Sequence, residues 1–165
     1  ACMRALHDAG LAEVAVTAAA DSRPFIGICV GMQMMYDGST ESPGVSGLGI
    51  LSGTVDWLPP EVVRPQMQWN QIELTADVGA DDPLLAGLDG AWMYFVHSLV
   101  GPSAPEVSAT CNYGGPQTAA VRTGPTDGPD TIWATQFHPE KSAKAGLALL
   151  SNFVGLAAQA KREAA

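Results

Sequence analysis

The chain has 165 residues, 47% hydrophobic and 15% charged, and this size and composition predict one compact domain over residues 1–165 rather than a disordered chain. Its 17 acidic and 8 basic residues give a net charge of −9, which disfavours nucleic acid and anionic membranes as partners. It has no apolar run of membrane length, its residues 1–4 lack the apolar core of a secretory signal, and its three cysteines form no Cys-x-x-Cys pair. The sequence therefore predicts a cytoplasmic protein without a disulfide framework or a metal site.

The N-terminal elements follow an α/β order. Residues 2–20 are rich in alanine and predict a helix that Gly10 interrupts. The apolar run at residues 25–28 is typical of a parallel strand buried on both faces, and residues 30–36 predict the helix that follows it. A strand, a tight turn and a helix in this order indicate an α/β fold.

The rest of the chain is predicted to form strands and one long helix. Residues 39–49 are polar and rich in glycine and predict a loop, while residues 144–161 carry one apolar stripe and predict the last helix. Residues 92–100 have the strongest strand pattern. These elements predict a Rossmann-like domain with a central, mostly parallel sheet flanked by helices. Shorter strands are predicted at residues 51–58, 62–67, 69–74, 107–112, 118–122 and 131–137.

Cys29 lies in the pattern Gly-x-Cys-x-Gly, at the predicted turn between the first strand and its helix. This pattern is the thiol counterpart of the Gly-x-Ser-x-Gly elbow, in which the glycines let the backbone turn sharply and expose the central side chain. Unpaired N–H groups at the start of the helix favour the thiolate, so we expect a reactive anion near neutral pH. The alternative is a buried, inert cysteine, because free cysteines are often buried and the pattern is weak by itself.

His138 and Glu140 lie two residues apart at the end of the predicted strand 131–137. Residues i and i+2 of an extended backbone point to the same side, and Pro139 biases His138 toward that geometry. A base with an orienting carboxylate is what a thiol nucleophile needs, so these residues predict a Cys-His-Glu triad with Cys29. The alternative is a solvated turn at the end of a strand.

Two groups of motifs carry a family resemblance. Residues 27–33 (Gly-Ile-Cys-Val-Gly-Met-Gln) and 136–142 (Gln-Phe-His-Pro-Glu-Lys-Ser) resemble those of the class I (triad) glutamine amidotransferases. Within that class, residues 67–70 (Met-Gln-Trp-Asn) and 94–98 (Tyr-Phe-Val-His-Ser) are similar to those of the glutaminase subunits of imidazole glycerol phosphate synthases. The motifs occur in the family's order and span nearly the whole chain.

The resemblance implies an enzyme that hydrolyses L-glutamine to glutamate and ammonia through a thioester on Cys29, without a cofactor. His138 is implied to act as base and then as acid, Glu140 to orient it, and the N–H group of Val30 to be one oxyanion donor. The ammonia is implied to pass to a (β/α)₈ cyclase subunit in a heterodimer. That subunit forms imidazole glycerol phosphate and an aminoimidazole carboxamide ribotide (AICAR) in histidine biosynthesis.

The same resemblance implies binding roles. Gln33 and Glu41 match positions that bind the glutamine substrate, with Glu41 on its amino group, and the backbone of His97 and Ser98 matches a segment that lines the glutamine pocket. Each of these residues taken alone also has a simpler interpretation. The alternatives are a polar helix surface at Gln33, a solvated loop charge at Glu41 and a structural histidine at His97. Contacts with the cyclase are implied for Trp69, Asn70 and Lys141.

Two departures from the family pattern matter. The family begins with about fifty residues that carry its first strands and a Pro-Gly-Val-Gly oxyanion segment, and this sequence starts after them, so we expect a fold without its first strands and with one oxyanion donor fewer. Gln66 and Gln68 occupy the positions of a His and a Gly in the family, which predicts an altered partner-facing surface. Three alternatives stay open: an inactive interaction subunit, the glutaminase subunit of another amidotransferase, and a different Cys-His hydrolase.

Overall fold

The computed structural model describes residues 1–125 and 128–163, which form strands with helices packed against them. The strand, turn and helix predicted around Cys29 are present. The helices are α1 (Cys2–Asp8), α2 (Leu11–Ala20), α3 (Val30–Met35) and α4 (Ala143–Glu163), with a 3₁₀ turn at Pro139–Lys141. The strands are β1 (Phe25–Ile28), β2 (Gly38–Ser39), β3 (Thr54–Trp57), β4 (Gln66–Leu74), β5 (Trp92–His97), β6 (Leu99–Val100), β7 (Val107–Asn112), β8 (Pro116–Thr123) and β9 (Ile132–Thr135).

The main sheet has six strands in the order β1, β9, β8, β7, β4, β5. Among the described residues, the β1–β9 pair is parallel and the four other pairs of this sheet are antiparallel. The α/β class with flanking helices is confirmed, but the prediction of a mostly parallel sheet is wrong. Parallel neighbours need a crossover of a dozen or more residues, whereas residues 113–115 alone connect β7 to β8 and therefore make a hairpin.

The predicted helix break is confirmed, and two predicted strand regions have different boundaries in the structure. Gly10, with φ of 68°, separates α1 from α2, as its position in the sequence predicts. The two strands predicted at residues 62–74 are one strand, β4, which begins after Pro65, a residue without an N–H group for the ladder. The strand predicted at residues 92–100 is broken at Ser98, and its last residues pair with β3 in a small second sheet of β2, β3 and β6.

Strand β9 shows how the two faces of the main sheet are covered. Trp133 belongs to a core cluster with Leu149 of α4, and its ring meets Phe153 of α4 edge-on, with centroids 6.2 Å apart. Its neighbours Ile132 and Ala134 point the other way and belong to the cluster that contains Met32 and Met35 of α3. Neither α4 nor any other helix within residues 1–125 and 128–163 has both the length and the apolarity needed to cross a membrane.

The two glycines that flank Cys29 have different steric environments. A Cβ atom on Gly27 would lie 2.5 Å from Sδ of Met35 and 3.1 Å from the backbone of Gly31, whereas a Cβ atom on Gly31 would meet nothing within 4 Å. We therefore expect Gly27→Ala to lower the free energy of unfolding by about 1–2 kcal/mol, because β1 and α3 must separate. Gly31→Ala is the matched control, and its higher helix propensity stabilises α3 by up to about 1 kcal/mol.

Urea unfolding of the two variants checks this expectation. Equal destabilisation by Gly27→Ala and Gly31→Ala would contradict it.

Candidate active site

Cys29 forms the sharp turn between β1 and α3. Its backbone has φ of 52° and ψ of −108°, a conformation that a residue with a side chain adopts rarely and that the surrounding structure must hold. Its N–H group donates to the carbonyl of Thr135 on β9 (2.7 Å), and its own carbonyl accepts from the N–H group of Gln33 (3.1 Å). The turn is thus tied to the neighbouring strand on one side and to the first turn of α3 on the other.

His138 and Glu140 form a hydrogen-bonded pair just after β9. Nδ1 of His138 and Oε1 of Glu140 are 2.7 Å apart, and the imidazole is 17% exposed. The two side chains meet as the sequence predicts, but for a different reason. His138 is extended, with φ of −100° and ψ of 96°, whereas Glu140 lies in the 3₁₀ turn Pro139–Lys141, so the turn brings the carboxylate back to the ring.

The sheet brings Cys29 and His138 to the same edge. Ile28 pairs with Thr135 in the parallel β1–β9 ladder, so both residues follow the carboxyl ends of adjacent strands. Strand β5 faces this edge, although it lies at the other end of the main sheet. The carbonyl of its Tyr94 accepts from the N–H group of His138 (2.9 Å), and the carbonyl of Val96 lies 4.0 Å from Sγ of Cys29.

The pKa of the Cys29 thiol is raised above its ordinary value, contrary to the expectation of a stable thiolate. Burial is the largest cause, and the carboxylate of Glu140 adds to it. The N–H group of Val30, the amide of Gln136 and the charge of Lys141 lower the pKa, but they do not compensate for the burial, and α3 has only six residues. The resting site therefore holds a thiol that needs a base, and no group of three or more metal-ligating side chains occurs in the part of the chain that the structure describes.

Three of the predicted site residues line one cavity of about 180 Å³ beside the turn. Val30 and Gln33 reach it from α3, and Glu41 reaches it from the loop after β2. The described residues that line this cavity include neither Cys29 and His138 nor His97 and Ser98. The carbonyl of Ser98 accepts from the N–H group of Leu58 (2.9 Å). The carbonyls that face the site are those of Val96 and Leu99, the residues on either side of His97 and Ser98.

Two buried residues of the site carry no role in the sequence-based prediction, although both lie in the motif 136–142. The amide of Gln136 lies between Cys29 and Gln33, and the hydroxyl of Ser142 joins the backbones of Tyr94 and His138. A signal for Gln136 was available, because it precedes His138 by two residues and an extended chain directs such residues to one side. Ser142 gives no such signal, since its partner on β5 is distant in sequence.

His97 is buried, with 6% of its surface exposed, and its Nδ1–H group donates to the carbonyl of Leu99 (2.7 Å). Its Nε2 has no hydrogen-bond partner among the described residues. Burial lowers the pKa of His97 to about 4 from 6.5, and the nearby His138 acts in the same direction. The ring is therefore neutral at physiological pH.

This shift predicts acid sensitivity. Because the folded pKa of about 4 lies below the unfolded value of 6.5, the unfolded chain binds the proton first, and the stability present above pH 6.5 is lost as the pH falls toward 4. Between about pH 7 and pH 4.5, we expect the free energy of unfolding of His97→Gln to fall by about 2 kcal/mol less than that of the native protein. Urea unfolding at the two pH values measures this, and equal losses would show that His97 does not carry the effect.

Of the residues predicted to contact a partner, Trp69 lies on the exposed face of β4 and β5, whereas Asn70, the next residue of the strand, points to the opposite face. Trp69 is 44% exposed and meets the ring of Tyr94 edge-on, with centroids 6.1 Å apart. Asn70 donates to the carbonyl of Asn112 (2.9 Å), and Lys141 is exposed in the 3₁₀ turn. Exposed apolar neighbours of Trp69 on this face are Met67 and Trp92.

Gln66 and Gln68 differ in exposure, which corrects the prediction that both alter the surface. Gln68 is exposed, but the side chain of Gln66 is fully buried opposite His97 in the β4–β5 pairing. Its nearest polar partner is the sulfur of Cys111, 3.9 Å from Nε2. Alternation along β4 directs residues 66 and 68 to the same face, so their difference in exposure depends on what packs over each position and not on the strand period.

Comparison with known proteins defines the class of this site. Residues 5–156 match the family model of glutamine amidotransferase class-I, so the chain belongs to the class-I glutamine amidotransferase family. It is similar to the imidazole glycerol phosphate synthase subunit HisH of Methanothermobacter thermautotrophicus, with 44% identity over 146 residues, which is 88% of this chain and 69% of that protein. The subunit HisH of Deinococcus radiodurans is also 44% identical, over 156 residues, 92% of this chain and 68% of the relative.

Solved structures agree on the fold. A glutamine amidotransferase crystal structure has a TM-score of 0.65 at 20% identity and covers 93% of this chain and 71% of its own. The crystal structure of a putative GMP synthase subunit from Thermoplasma acidophilum has a TM-score of 0.61 at 20% identity and covers 94% of this chain and 68% of its own. The α/β fold is therefore that of glutamine amidotransferases.

Proposed function

We propose that this protein is the glutaminase subunit of an imidazole glycerol phosphate synthase, with one amidotransferase domain over residues 1–165. It hydrolyses L-glutamine and delivers ammonia to a (β/α)₈ cyclase subunit. The observation that carries the proposal is the His138–Glu140 pair, 2.7 Å apart, at the same sheet edge as the Cys29 turn, in a chain 44% identical to subunits of that name. The ammonia serves the formation of imidazole glycerol phosphate in histidine biosynthesis.

The chemistry starts from the neutral thiol. Glu140 holds Nδ1–H of His138, which leaves Nε2 as the basic nitrogen that takes the proton of Cys29. The sulfur attacks the carboxamide carbon, the N–H group of Val30 stabilises the oxyanion, and His138 returns the proton to the departing ammonia. Water then cleaves the thioester, which releases glutamate and restores the thiol. The steps need only these side chains and backbone N–H groups.

Glutamine binding is assigned to the cavity beside the turn. Gln33 supplies an amide and Glu41 supplies a carboxylate for the substrate's ammonium group, and both line the same cavity as Val30. The acidic side chain favours an amino-acid ligand with a free ammonium over a peptide bond in the middle of a chain. The backbone of His97 and Ser98 stays a prediction as a lining segment of this pocket.

The exposed face of β4 and β5 is assigned to the cyclase. Met67 is 62%, Trp69 44% and Trp92 55% exposed, an apolar surface of the kind that protein interfaces cover. Lys141, in the 3₁₀ turn next to β5, supplies a polar contact beside it, and a contact from Asn70 stays a prediction. Since the Cys29 edge of the sheet contacts β5 through Tyr94 and Val96, a partner on this face would lie close to the site of ammonia release.

Ammonia release from glutamine tests the proposal. The protein is assayed alone and with a cyclase subunit, and glutamate and ammonia are measured together with the cyclase product when glutamine is the only nitrogen source. We expect equal amounts of glutamate and ammonia, and product formation that requires both subunits.

Other outcomes identify the alternatives. Complex formation without glutamine hydrolysis would indicate an inactive interaction subunit. Hydrolysis without any association with the cyclase would indicate the glutaminase subunit of another amidotransferase. A lack of both would contradict the proposal.

A further inference from the structure

Gln136 occupies the position between the nucleophile and the predicted substrate ligand. It is fully buried, its Oε1 accepts from Nε2 of Gln33 (3.1 Å), and its own Nε2 lies 3.8 Å from Sγ of Cys29. The backbone of Gln136 is itself fixed, because its N–H group donates to the carbonyl of Ala119 (2.8 Å). The amide therefore links two site residues while the main chain holds it in place.

The partners of Gln33 determine which way its amide points. Its nitrogen donates to two acceptors, the carbonyl of Leu99 (3.2 Å) and Oε1 of Gln136 (3.1 Å). An amide nitrogen carries two hydrogens, so both are used, and the carbonyl oxygen is the remaining polar atom of the side chain. The Leu99 carbonyl is held in turn by Nδ1–H of the buried His97 (2.7 Å).

We propose that Gln136 is a further functional residue of this site: its N–H group stabilises the Cys29 thiolate, and its oxygen orients Gln33 so that Gln33 offers an acceptor to the ligand. The second role rests on the proposed function, whereas the first does not. A ligand group at Gln33 must then donate a hydrogen bond, as the ammonium and the carboxamide N–H groups of glutamine do and a carboxylate does not.

The thiolate role follows from the chemistry of the sulfur. Burial disfavours the anion, and a hydrogen bond from a neutral amide favours it without adding a charge. Such a donor acts at the moment when His138 removes the proton, because the thiolate forms beside it. Gln136 thus lowers the barrier to forming the nucleophile and leaves the resting thiol protonated.

The pH dependence of Cys29 alkylation tests this role without any substrate. Native protein, Gln136→Met and Gln136→Glu are treated with iodoacetamide, and the Cys29 peptide is followed by mass spectrometry, which separates it from Cys2 and Cys111. We expect the thiol pKa to rise by about one unit in Gln136→Met, which corresponds to alkylation about tenfold slower at pH 7, and by at least as much in Gln136→Glu, because its carboxylate adds a negative charge beside the sulfur.

The two variants separate the two roles. Glutamine binding is measured by calorimetry in a Cys29→Ala background, where no turnover occurs. Gln136→Glu keeps an oxygen for Gln33 and is expected to retain affinity, whereas Gln136→Met removes it and is expected to weaken binding about tenfold.

Gln117→Met is the matched control, because this half-buried glutamine donates to the carbonyl of Tyr113 in the β7–β8 turn and lies outside the site. Its alkylation profile should equal the native one. The proposal is overturned if folded Gln136→Met and Gln136→Glu, judged by native-like circular dichroism, alkylate with the native pH profile. If native protein instead fails to hydrolyse glutamine, the proposed function fails while the alkylation result still stands.

Discussion

Replacing Cys29 with alanine is expected to reduce glutamine hydrolysis at least about 10⁴-fold, to the level of contaminating activity. The reason is that the thioester cannot form without the sulfur. Binding of glutamine should persist, because the cavity formed by Val30, Gln33 and Glu41 does not depend on the thiol. Ammonia release under saturating glutamine, together with calorimetric binding, measures the two quantities separately.

Cys111→Ala is the control for this variant. Cys111 is buried in the core, and burial raises its pKa to about 11, so it holds no thiolate at neutral pH. We expect this change to lower stability by about 1 kcal/mol and to leave kcat/KM unchanged. Substantial hydrolysis by Cys29→Ala would show that Cys29 is not the nucleophile.

Replacing His138 with asparagine is expected to reduce kcat about 10³- to 10⁴-fold with a small effect on KM. The buried thiol has a raised pKa, so it depends on a base to lose its proton, and asparagine cannot act as one. Glu140→Gln should have a smaller effect in the same direction, because it removes the carboxylate that holds Nδ1–H. Steady-state kinetics at several pH values measures these changes.

The double variant Cys29→Ala/His138→Asn gives the sharper result. Residues that act as one unit are not additive, so the double variant should be no slower than Cys29→Ala alone. His7→Asn is the matched control, since His7 lies on the exposed surface of α1. If His138→Asn hydrolysed glutamine at the wild-type rate, the His138–Glu140 pair would have a structural role only.

The strand patterns predicted the existence of most elements but not how they pair. β7 is predicted with the same bounds that it has in the structure, although only Val107 and Thr110 of its residues are strong strand formers. The direction of pairing depends on connection length and on which neighbours are already occupied, and the turn at residues 113–115 makes β7 and β8 antiparallel. A pattern of apolar residues contains neither piece of information.

The electrostatics of the site were predicted least well. A thiol at the start of a helix suggests a lowered pKa, but burial of Cys29 outweighs the N–H group of Val30. A structural histidine at His97 was one of the alternatives, but its neutral, buried state was not predicted, because a histidine in a strand has the same sequence pattern whether its face is buried or exposed. Burial is a property of the packed chain, and it dominates both pKa shifts.

The order of residues was enough to predict the turn at Cys29, the His138–Glu140 spacing and the family, because these depend on neighbouring residues and local backbone preferences. The packed chain was needed to show that Gln136 joins Cys29 to Gln33, since these three residues come from the end of β1, α3 and the end of β9. It was also needed to show that the thiol rests protonated, because desolvation depends on what packs around the sulfur. Turns and residue spacings depend on neighbouring residues and can be predicted from the sequence. Contacts and burial, which set the pKa shifts, depend on segments that are distant in the sequence.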